Sequence, residues 1–283
     1  MKDAMYKASV LMEALPYIKE HFGKTVVIKY GGNAMVNEEL KASIASDVVL
    51  MKYVGMNPVI VHGGGPAISA AMKEADIEVK FVNGLRITDQ ATMKIVKTVL
   101  AERINKELVG LVNSHGQLAQ GVIGDEGLIR ARKQVSDVDL GFVGEVSRVM
   151  PKHLIDIING GLIPIIATVA VGEDGKTYNI NADLAAGEIA AAIGADKIIF
   201  LTDVAGLYQD FNDKSSLISE LSAVECRAMV EEKQVEEGML PKLAGCLKAL
   251  DEGVNRAHIL DGTTKHALLL EVFTEQGIGT MIT

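Results

Sequence analysis

The stretch that decides the fold class lies at residues 58–66 and reads PVIVHGGGP. It begins with a continuous apolar run of strand length, turns through three glycines and leads into an apolar-periodic segment that starts at Ala67. Longer segments with helical periodicity separate it from comparable apolar runs, which lie at residues 25–28, 162–166 and 197–201. This alternation predicts an α/β fold with a largely parallel sheet and crossover helices.

Apolar residues at helical spacing predict the crossover helices, which cover residues 38–53, 67–75, 89–112, 152–159, 182–193, 223–233 and 241–251. Shorter alternating pieces broken by glycine predict antiparallel hairpins, and they cover residues 118–123, 128–133 and 142–149. Residues 169–179 predict a further hairpin with its turn at residues 173–175. Because no linker rich in proline or serine appears, the seam between two lobes, if there are two, falls near residue 180.

One more predicted helix, at residues 3–20, precedes the first core strand, and Pro16 can kink or end it. Its apolar stripe consists of Met5, Ala8, Met12, Leu15 and Ile18. Such a stripe packs either on the body of its own chain or on another subunit, and the pattern alone leaves both interpretations open.

The composition narrows the classes of function. The chain has 283 residues and a formal net charge of -9, which argues against nucleic acid or an anionic membrane as the main partner. The two cysteines, Cys226 and Cys246, lie in helix-like segments and are expected to be free thiols. There is neither a signal-peptide pattern nor an apolar run of roughly 18 residues, so we expect a cytoplasmic protein.

Two glycine turns at predicted strand ends indicate an anion site. Lys29 closes the first core strand just before Gly31 and Gly32, and residues 63–65 open the next helix. Glycine lets backbone N–H groups approach an anion, and a helix N-terminus favours negative charge. A lysine beside such a cradle is typical of phosphoryl transfer, although Lys29 alone is equally well explained as a solvated residue at a strand end.

Five further polar positions are candidates for a site. Asp183 begins an alanine-rich helix, either as an organiser of lysines or as an ordinary residue of a first helical turn. Asn179 and Asn181 project to the same side if their segment is extended, and Arg86 offers a fork for a carboxylate. His62 would be a base only if it had a partner, so a structural role is favoured.

Common nucleotide and metal motifs are missing. The GKT triplets at residues 23–25 and 175–177 lack the glycine that a P-loop requires five positions earlier. The sequence also contains no GxGxxG, HExxH, GxSxG or EF-hand pattern. These absences remove the commonest dehydrogenase, zincin, hydrolase and calcium-site hypotheses.

Five segments together carry a family resemblance: IKYGGNAM (28–35), VHGGGP (61–66), NGLRIT (83–88), NINAD (179–183) and LTDVAG (201–206). From about Lys24 to its end, the chain closely resembles the amino acid kinase superfamily, and within it the acetylglutamate kinases. The resemblance implies the amino acid kinase fold, a three-layer αβα sandwich around a central, mostly parallel open sheet, with an extra N-terminal helix.

The same resemblance implies an activity and its residues. ATP with Mg²⁺ would donate its γ-phosphate to the γ-carboxylate of N-acetyl-L-glutamate. Lys29 and Lys242 would stabilise the transferring group, and Asp183 would hold both lysines. The substrate-binding residues would be Gly31, Gly32, Gly63, Gly64, Gly65, Arg86, Asn179 and Asn181, with N–H donors at the first four glycines. Thr202, Asp203 and Leu207 would lie towards the nucleotide.

Regulation is implied by likeness to the arginine-inhibited branch of this family. The arginine site would consist of Tyr17, Lys197, His258, Glu271 and Gly277. Residues 1–22 would interlace dimers into a hexamer, residues 23–180 would bind N-acetylglutamate and dimerise, and residues 181–283 would bind ATP and arginine. A PII-type signalling protein is a further partner suggested by family analogy alone.

Two alternatives to this kinase stay open at this point. The same fold acts on other carboxylates or on carbamate, and N-acetyl-aminoadipate, aspartate and glutamate are the candidate acceptors. A non-catalytic sensor of arginine or nucleotide is the other alternative, and the combination of Lys29, Asp183 and Lys242 argues against it.

Overall fold

The computed structural model describes residues 1–210, 212–275 and 277–283, without the side chains of Asp3 and Asn33. Helices α1 to α10 in this part are Lys2–His21, Glu38–Tyr53, Gly65–Glu74, Gln90–Lys97, Asn105–Asn113, Lys152–Asn159, Ala182–Ala192, Ala223–Glu231, Leu240–Asp251 and Ala267–Phe273. Strands β1 to β14 are Thr25–Tyr30, Asn57–His62, Phe81–Val82, Leu85–Arg86, Ala119–Ile123, Ile129–Lys133, Val143–Val149, Ile163–Ala167, Val169–Gly172, Thr177–Ile180, Lys197–Thr202, Glu220–Leu221, Arg256–Asp261 and Thr280–Ile282.

Eight of these strands form the central sheet in the order β12-β14-β13-β11-β1-β2-β8-β5. Its six strands from β13 to β5 are all parallel, whereas β14 runs antiparallel to β13. Side chains alternate across each strand, so Val27 packs into one apolar cluster and Val26 and Ile28 pack into another on the opposite face. Helices cover both faces, which confirms the predicted α/β sandwich around a mostly parallel sheet.

The prediction of an antiparallel hairpin at residues 118–123 is wrong. These residues form β5, which pairs in parallel with β8 at the edge of the central sheet. A glycine fits there because an ideal Cβ on Gly121 would collide with the Asn105 side chain. The same glycine breaks the apolar run that would have identified a buried strand in the sequence.

The other hairpins are confirmed. Strands β6 and β7 pair antiparallel, as do β9 and β10, and the four close into a small separate sheet in the order β10-β7-β6-β9. The helix predicted at residues 89–112 consists of α4, a π-helical segment at Thr98–Ile104, and α5. Strands β13 and β14 were not predicted.

Helices α7 and α9 cross with their backbones in contact. An ideal Cβ on Gly187 of α7 would stand 2.5 Å from the carbonyl oxygen of Gly245 in α9. A Cβ on Gly245 would in turn stand 2.5 Å from the carbonyl oxygen of Asp183. Both helices begin at the same edge of the sheet, so the crossing fixes the first turn of one beside the first turn of the other.

The helix predicted at residues 3–20 is confirmed as α1, and Pro16 lies inside it without ending it. Its apolar stripe does not pack on the body of the chain, because Met5 is 66% exposed, Met12 64% and Leu15 51%. The end of the helix does contact the body of the chain. His21 is buried, and Glu20 Oε1 lies 3.7 Å from Arg256 Nη1. One of the two interpretations of the stripe, packing within the chain, is therefore excluded for these residues.

Among the residues that the structure describes, no helix is long and apolar enough to cross a bilayer.

Candidate active site and a second charged cavity

Two lysines and one aspartate meet at the carboxyl edge of the sheet. Lys29 Nζ lies 2.8 Å from Asp183 Oδ1, and Lys242 Nζ lies 3.4 Å from Asp183 Oδ2. The Lys29 and Asp183 side chains are buried, and that of Lys242 is mostly so. The predicted catalytic trio is thus brought together from three distant parts of the sequence.

Local structure explains the position of each of the three groups. Lys29 lies near the carboxyl end of β1, and Asp183 lies in the first turn of α7. The Asn181 Oδ1 caps that helix by accepting hydrogen bonds from the N–H groups of Asp183 and Leu184, at 2.8 and 3.2 Å. Lys242 lies in the first turn of α9 and donates to the Gly238 carbonyl oxygen at 3.2 Å.

Opposing effects determine the ionisation of Asp183. Burial alone would raise the pKa of this carboxyl group, but the positive charges of Lys29 and Lys242 and their hydrogen bonds outweigh burial and lower the pKa. The carboxylate is therefore ionised at neutral pH. With one aspartate against two lysines, the cluster carries a net positive charge, which suits a phosphoryl group.

The first glycine turn requires glycine for two different reasons. An ideal Cβ on Gly31 would lie 2.6 Å from Lys29 Nζ and displace the ammonium group. Gly32 has φ +72°, a conformation that residues with a side chain rarely adopt, and its Cβ would lie 2.6 Å from Asp203 Oδ1. The turn is therefore shaped around Lys29 on one side and Asp203 on the other.

The second turn, at residues 63–65, lines the same cavity as Lys29, and one of its N–H groups is already bonded. The Gly63 N–H donates to the Tyr30 carbonyl oxygen at 3.0 Å, so it is not available to a ligand, and the predicted donor role of Gly63 is contradicted. Gly64 fits against two side chains, because an ideal Cβ there would stand 2.7 Å from atoms of both Leu100 and Ile104. Gly65 opens α3.

A cavity of about 260 Å³ joins these turns to the other predicted substrate residues. Lys29, Asp183 and both glycine turns line it, together with Arg86, Asn179 and Asn181. Asn179 Nδ2 donates to Thr88 Oγ1 at 3.3 Å, which leaves its oxygen as an acceptor. All eleven residues predicted for catalysis and acceptor binding except Lys242 line this one cavity.

Arg86 is held firmly at the cavity wall. Its Nη2 donates to the Gly65 carbonyl oxygen at 3.0 Å and to Ser69 Oγ at 2.9 Å, and its guanidinium lies over the Phe81 ring. Burial lowers the pKa of Arg86, because desolvation disfavours the charged form. An anion in the cavity would restore the solvation that this guanidinium lacks.

The three residues predicted to bind the nucleotide lie in different surroundings. Thr202 ends β11, and Asp203 lies against Gly32 beside the main cavity. Leu207 is instead buried, and it lines a separate space of about 30 Å³ with Tyr208 and Met239. None of the three lines the 260 Å³ cavity, and Leu207 lines a different one.

His62 is a structural histidine, as favoured from the sequence. Its side chain is fully buried, and burial lowers its pKa to about 4, so the imidazole is neutral. Both ring nitrogens are engaged, Nδ1 with the Gly63 carbonyl oxygen at 2.9 Å and Nε2 with Asn105 Nδ2 at 3.2 Å. It is not placed to act as a base.

A second cavity, of about 410 Å³, contains all five residues predicted for an effector: Tyr17, Lys197, His258, Glu271 and Gly277. His258 Nδ1 and Glu271 Oε1 are 2.6 Å apart. Burial would raise the pKa of Glu271, but hydrogen bonds from His258 and from the Ile278 N–H outweigh it and lower the pKa. The carboxylate is therefore ionised.

Sequence reasoning missed several residues of this second cavity, and two of them carry basic side chains. His21 and Arg256 also line it, and His21 Nε2 lies 3.4 Å from Lys197 Nζ. Spacing offered a signal for His21, because it follows Tyr17 by four residues on one helix and therefore lies on the same face. Within the described part of the chain, the buried His258 Nε2 has no hydrogen-bond partner.

The chain is similar in sequence to proteins of one family. A sequence profile of the amino acid kinase family matches residues 24–261. The acetylglutamate kinase of Caldanaerobacter subterraneus subsp. tengcongensis is 53% identical over 281 residues, which cover 99% of this chain and 94% of that protein. The acetylglutamate kinase of Caldicellulosiruptor bescii is 52% identical over 288 residues, which cover 100% and 98% respectively.

A solved structure shows the same fold. The N-acetylglutamate synthase of Neisseria gonorrhoeae, in complex with coenzyme A and N-acetyl-glutamate, matches with a TM-score of 0.87 at 23% identity. The match covers 98% of this chain but only 63% of the synthase chain, so this chain spans less than two thirds of that protein.

Proposed function

This chain belongs to the amino acid kinase family, and we propose that it transfers the γ-phosphoryl group of ATP to the γ-carboxylate of N-acetyl-L-glutamate. The products would be N-acetylglutamyl 5-phosphate and ADP, as a step of arginine biosynthesis. Mg²⁺ would enter with the nucleotide phosphates.

One observation carries the proposal: the Asp183 carboxylate bridges Lys29 and Lys242 beside two glycine turns. An ionised carboxylate acceptor needs no general base, so the protein has to supply position and positive charge. One acceptor oxygen would form the new bond to the γ-phosphorus, while the bond from that phosphorus to the bridging oxygen of ADP breaks. The two ammonium groups would neutralise negative charge on the oxygens of the phosphoryl group in the transition state.

The cavity suggests how the two substrates divide the site. Arg86 lies at the end of the cavity formed by α3 and β4, where its guanidinium would pair with the α-carboxylate of the acceptor. Asn179 and Asn181 line the same cavity and would bind the acetamido and carboxyl groups. ATP would approach from the side of Asp203, where residues after 180 supply the surface.

The test is ADP release with MgATP, with and without N-acetyl-L-glutamate. We expect turnover that requires this acceptor and exceeds turnover with N-acetyl-aminoadipate, aspartate, glutamate or carbamate. A preference for any of these would change the assigned acceptor, but the chain would still transfer a phosphoryl group from ATP. Binding of arginine or nucleotide without any turnover would favour the sensor instead.

A second proposed function is feedback inhibition by arginine, and the 410 Å³ cavity favours it. The cavity presents four glutamates, among them ionised Glu271, together with the basic groups Lys197 and Arg256, which suits a ligand with a guanidinium at one end and a carboxylate at the other. Because Tyr17 and His21 of α1 also line it, a ligand there would contact the helix whose apolar stripe is exposed.

We expect the variant Glu271→Gln to raise the half-inhibitory concentration of arginine by about 10–100-fold, because a charge-assisted pair is worth about 1.5–3 kcal/mol. The rate without arginine should not change, since Glu271 lies outside the catalytic cavity. The measurement is an arginine titration of ADP release. Glu74→Gln at the exposed end of α3 is the matched control, and equal arginine sensitivity of both variants would contradict the assignment.

We also propose that α1 joins copies of the chain into a larger ring, a hexamer built from dimers. The exposed stripe of α1 would bury Met5, Met12 and Leu15 against a second copy. The variant Met12→Glu should reduce the assembly to dimers, because it would place an unpaired charge in an apolar contact. Light scattering after size-exclusion chromatography measures this mass. Glu13→Gln should leave the mass unchanged, and an unchanged mass for Met12→Glu would refute the helix contact.

A further inference from the structure

We propose that His62 is a positioning residue that aims the Gly64 N–H into the catalytic cavity, and that Asn105 fixes the imidazole tautomer this requires. The inference rests on the proposed kinase function, because it assigns the Gly64 N–H to the phosphoryl group or the acceptor carboxylate. Three consecutive hydrogen bonds connect these residues.

The first bond sets the tautomer. The Asn105 Nδ2 donates to the Ile165 carbonyl oxygen at 2.8 Å and faces His62 Nε2 at 3.2 Å. An amide nitrogen only donates, so Nε2 must carry a lone pair, and the proton of the neutral ring must lie on Nδ1. The low pKa that burial gives His62 agrees with a neutral ring at physiological pH.

The second bond holds one carbonyl group. His62 Nδ1–H donates to the Gly63 carbonyl oxygen at 2.9 Å. The chain immediately before is fixed as well, because Thr168 Oγ1 donates to the His62 carbonyl oxygen and the Gly63 N–H donates to the Tyr30 carbonyl oxygen. The hydrogen bond from His62 therefore fixes the orientation of the peptide group that joins Gly63 to Gly64.

Peptide geometry then sets the direction of the next N–H. The described chain contains no cis peptide, and in a trans peptide the C=O and N–H groups point in opposite directions. With its carbonyl oxygen turned towards His62, this peptide directs the Gly64 N–H away from the imidazole, to the side where Gly64 lines the 260 Å³ cavity. The Gly63 N–H is already bonded, so the Gly64 N–H becomes the donor of this turn.

The π-helical segment supports the arrangement from the other side. Its residues Leu100 and Ile104 pack against Gly64, and Asn105 follows directly as the first residue of α5. A π-helical turn within a longer helix is often found at functional sites. Here one helix supplies both the apolar wall of the glycine turn and the amide that orients His62.

The test compares His62→Asn with His62→Leu, two substitutions of similar size and branching. The amide nitrogen of the introduced asparagine would stand near the former Nδ1 and could still donate to the Gly63 carbonyl oxygen, whereas leucine could not. Asn105 loses its histidine partner in both variants, so their difference reports the Gly63 bond. We expect His62→Leu to lower kcat by about 10–100-fold with little change in KM for the acceptor. His62→Asn should stay within about fivefold of the unchanged chain.

A spectroscopic readout is independent of activity. In protein labelled with ¹⁵N-histidine, His62 should show a protonated Nδ1 and an unprotonated Nε2 from about pH 5.5 to about pH 8.5. A protonated Nε2 would overturn the proposal even if the unchanged chain proved to be no acetylglutamate kinase. Equal losses of kcat in the two variants at similar melting temperatures would also overturn it, because they would show a packing role alone.

Discussion

Replacing Lys29 by methionine is expected to lower kcat by about 10²–10³-fold, because one preorganised positive group at a developing anion is worth about this much. The Lys29 ammonium is buried against Asp183, and the glycine at position 31 leaves room for it. Methionine keeps most of the stem and its packing while it removes the charge. The loss should therefore appear in kcat, with KM for N-acetyl-L-glutamate changed much less.

Lys24→Met is the matched control for this variant. Lys24 lies just before the same strand and also pairs with an aspartate, Asp196, at 3.2 Å, but its side chain is 40% exposed. We expect its kcat to remain within about twofold, because an exposed pair contributes little. If Lys29→Met kept the rate of Lys24→Met in an ADP-release assay, Lys29 would have no part in phosphoryl transfer.

The variant Asp183→Asn has the second largest expected effect, and it combines activity with stability. Without the carboxylate, the Lys29 and Lys242 ammonium groups repel each other and lose their fixed positions, so kcat should fall by about 10²-fold. Breaking one partner of a buried pair typically costs about 3–5 kcal/mol. Urea unfolding at pH 7 measures that difference in the free energy of unfolding.

The stability loss should depend on pH in a defined direction. The pKa of Asp183 is lower in the folded chain than in the unfolded chain, so its stabilising contribution is complete above the unfolded value of about 3.9. That contribution disappears as the pH falls through the lower, folded pKa. The difference between the original chain and Asp183→Asn should therefore shrink in acid, in the range where the fold persists. A constant difference would show that the ion pairs are not its cause.

Asp196→Asn serves as the control for the stability measurement. Asp196 accepts a hydrogen bond from Asn255 and pairs with the exposed Lys24. Asp196 and Lys24 lie just before β11 and β1, at the opposite edge of the sheet from Asp183. The Asp196 side chain is itself only 14% exposed, but solvent screens the pair through Lys24, which is 40% exposed, and we expect a loss of about 0–1 kcal/mol. A loss for Asp196→Asn as large as that for Asp183→Asn would mean that burial does not distinguish the two aspartates.

The sequence was sufficient for features that depend on short-range patterns. Continuous apolar runs predict buried parallel strands because such strands pack on both faces, and β1, β2, β8 and β11 confirm this. The start of α7 was similarly visible in Asp183. Lys29 was a candidate because a charged residue at the end of an apolar strand requires a partner.

Features that depend on distant partners were not predictable in this way. Strand β5 contains Gly121 where the Asn105 side chain packs, so its apolar pattern is interrupted by a tertiary contact. The Gly63 N–H was expected to donate to a ligand, but it donates to the Tyr30 carbonyl oxygen at the end of β1. Lys242 was assigned only by family resemblance, since 59 residues separate it from Asp183.

The glycine crossing of α7 and α9 has a mechanical consequence. Helices separated by a layer of side chains can slide when those side chains change rotamer, but Gly187 and Gly245 bring backbone against backbone and leave no such layer. We therefore expect the backbones at Asp183 and Lys242 to move together as one rigid body. Any opening of the cavity is then expected to move its other wall, which α3 and Arg86 line, relative to this pair.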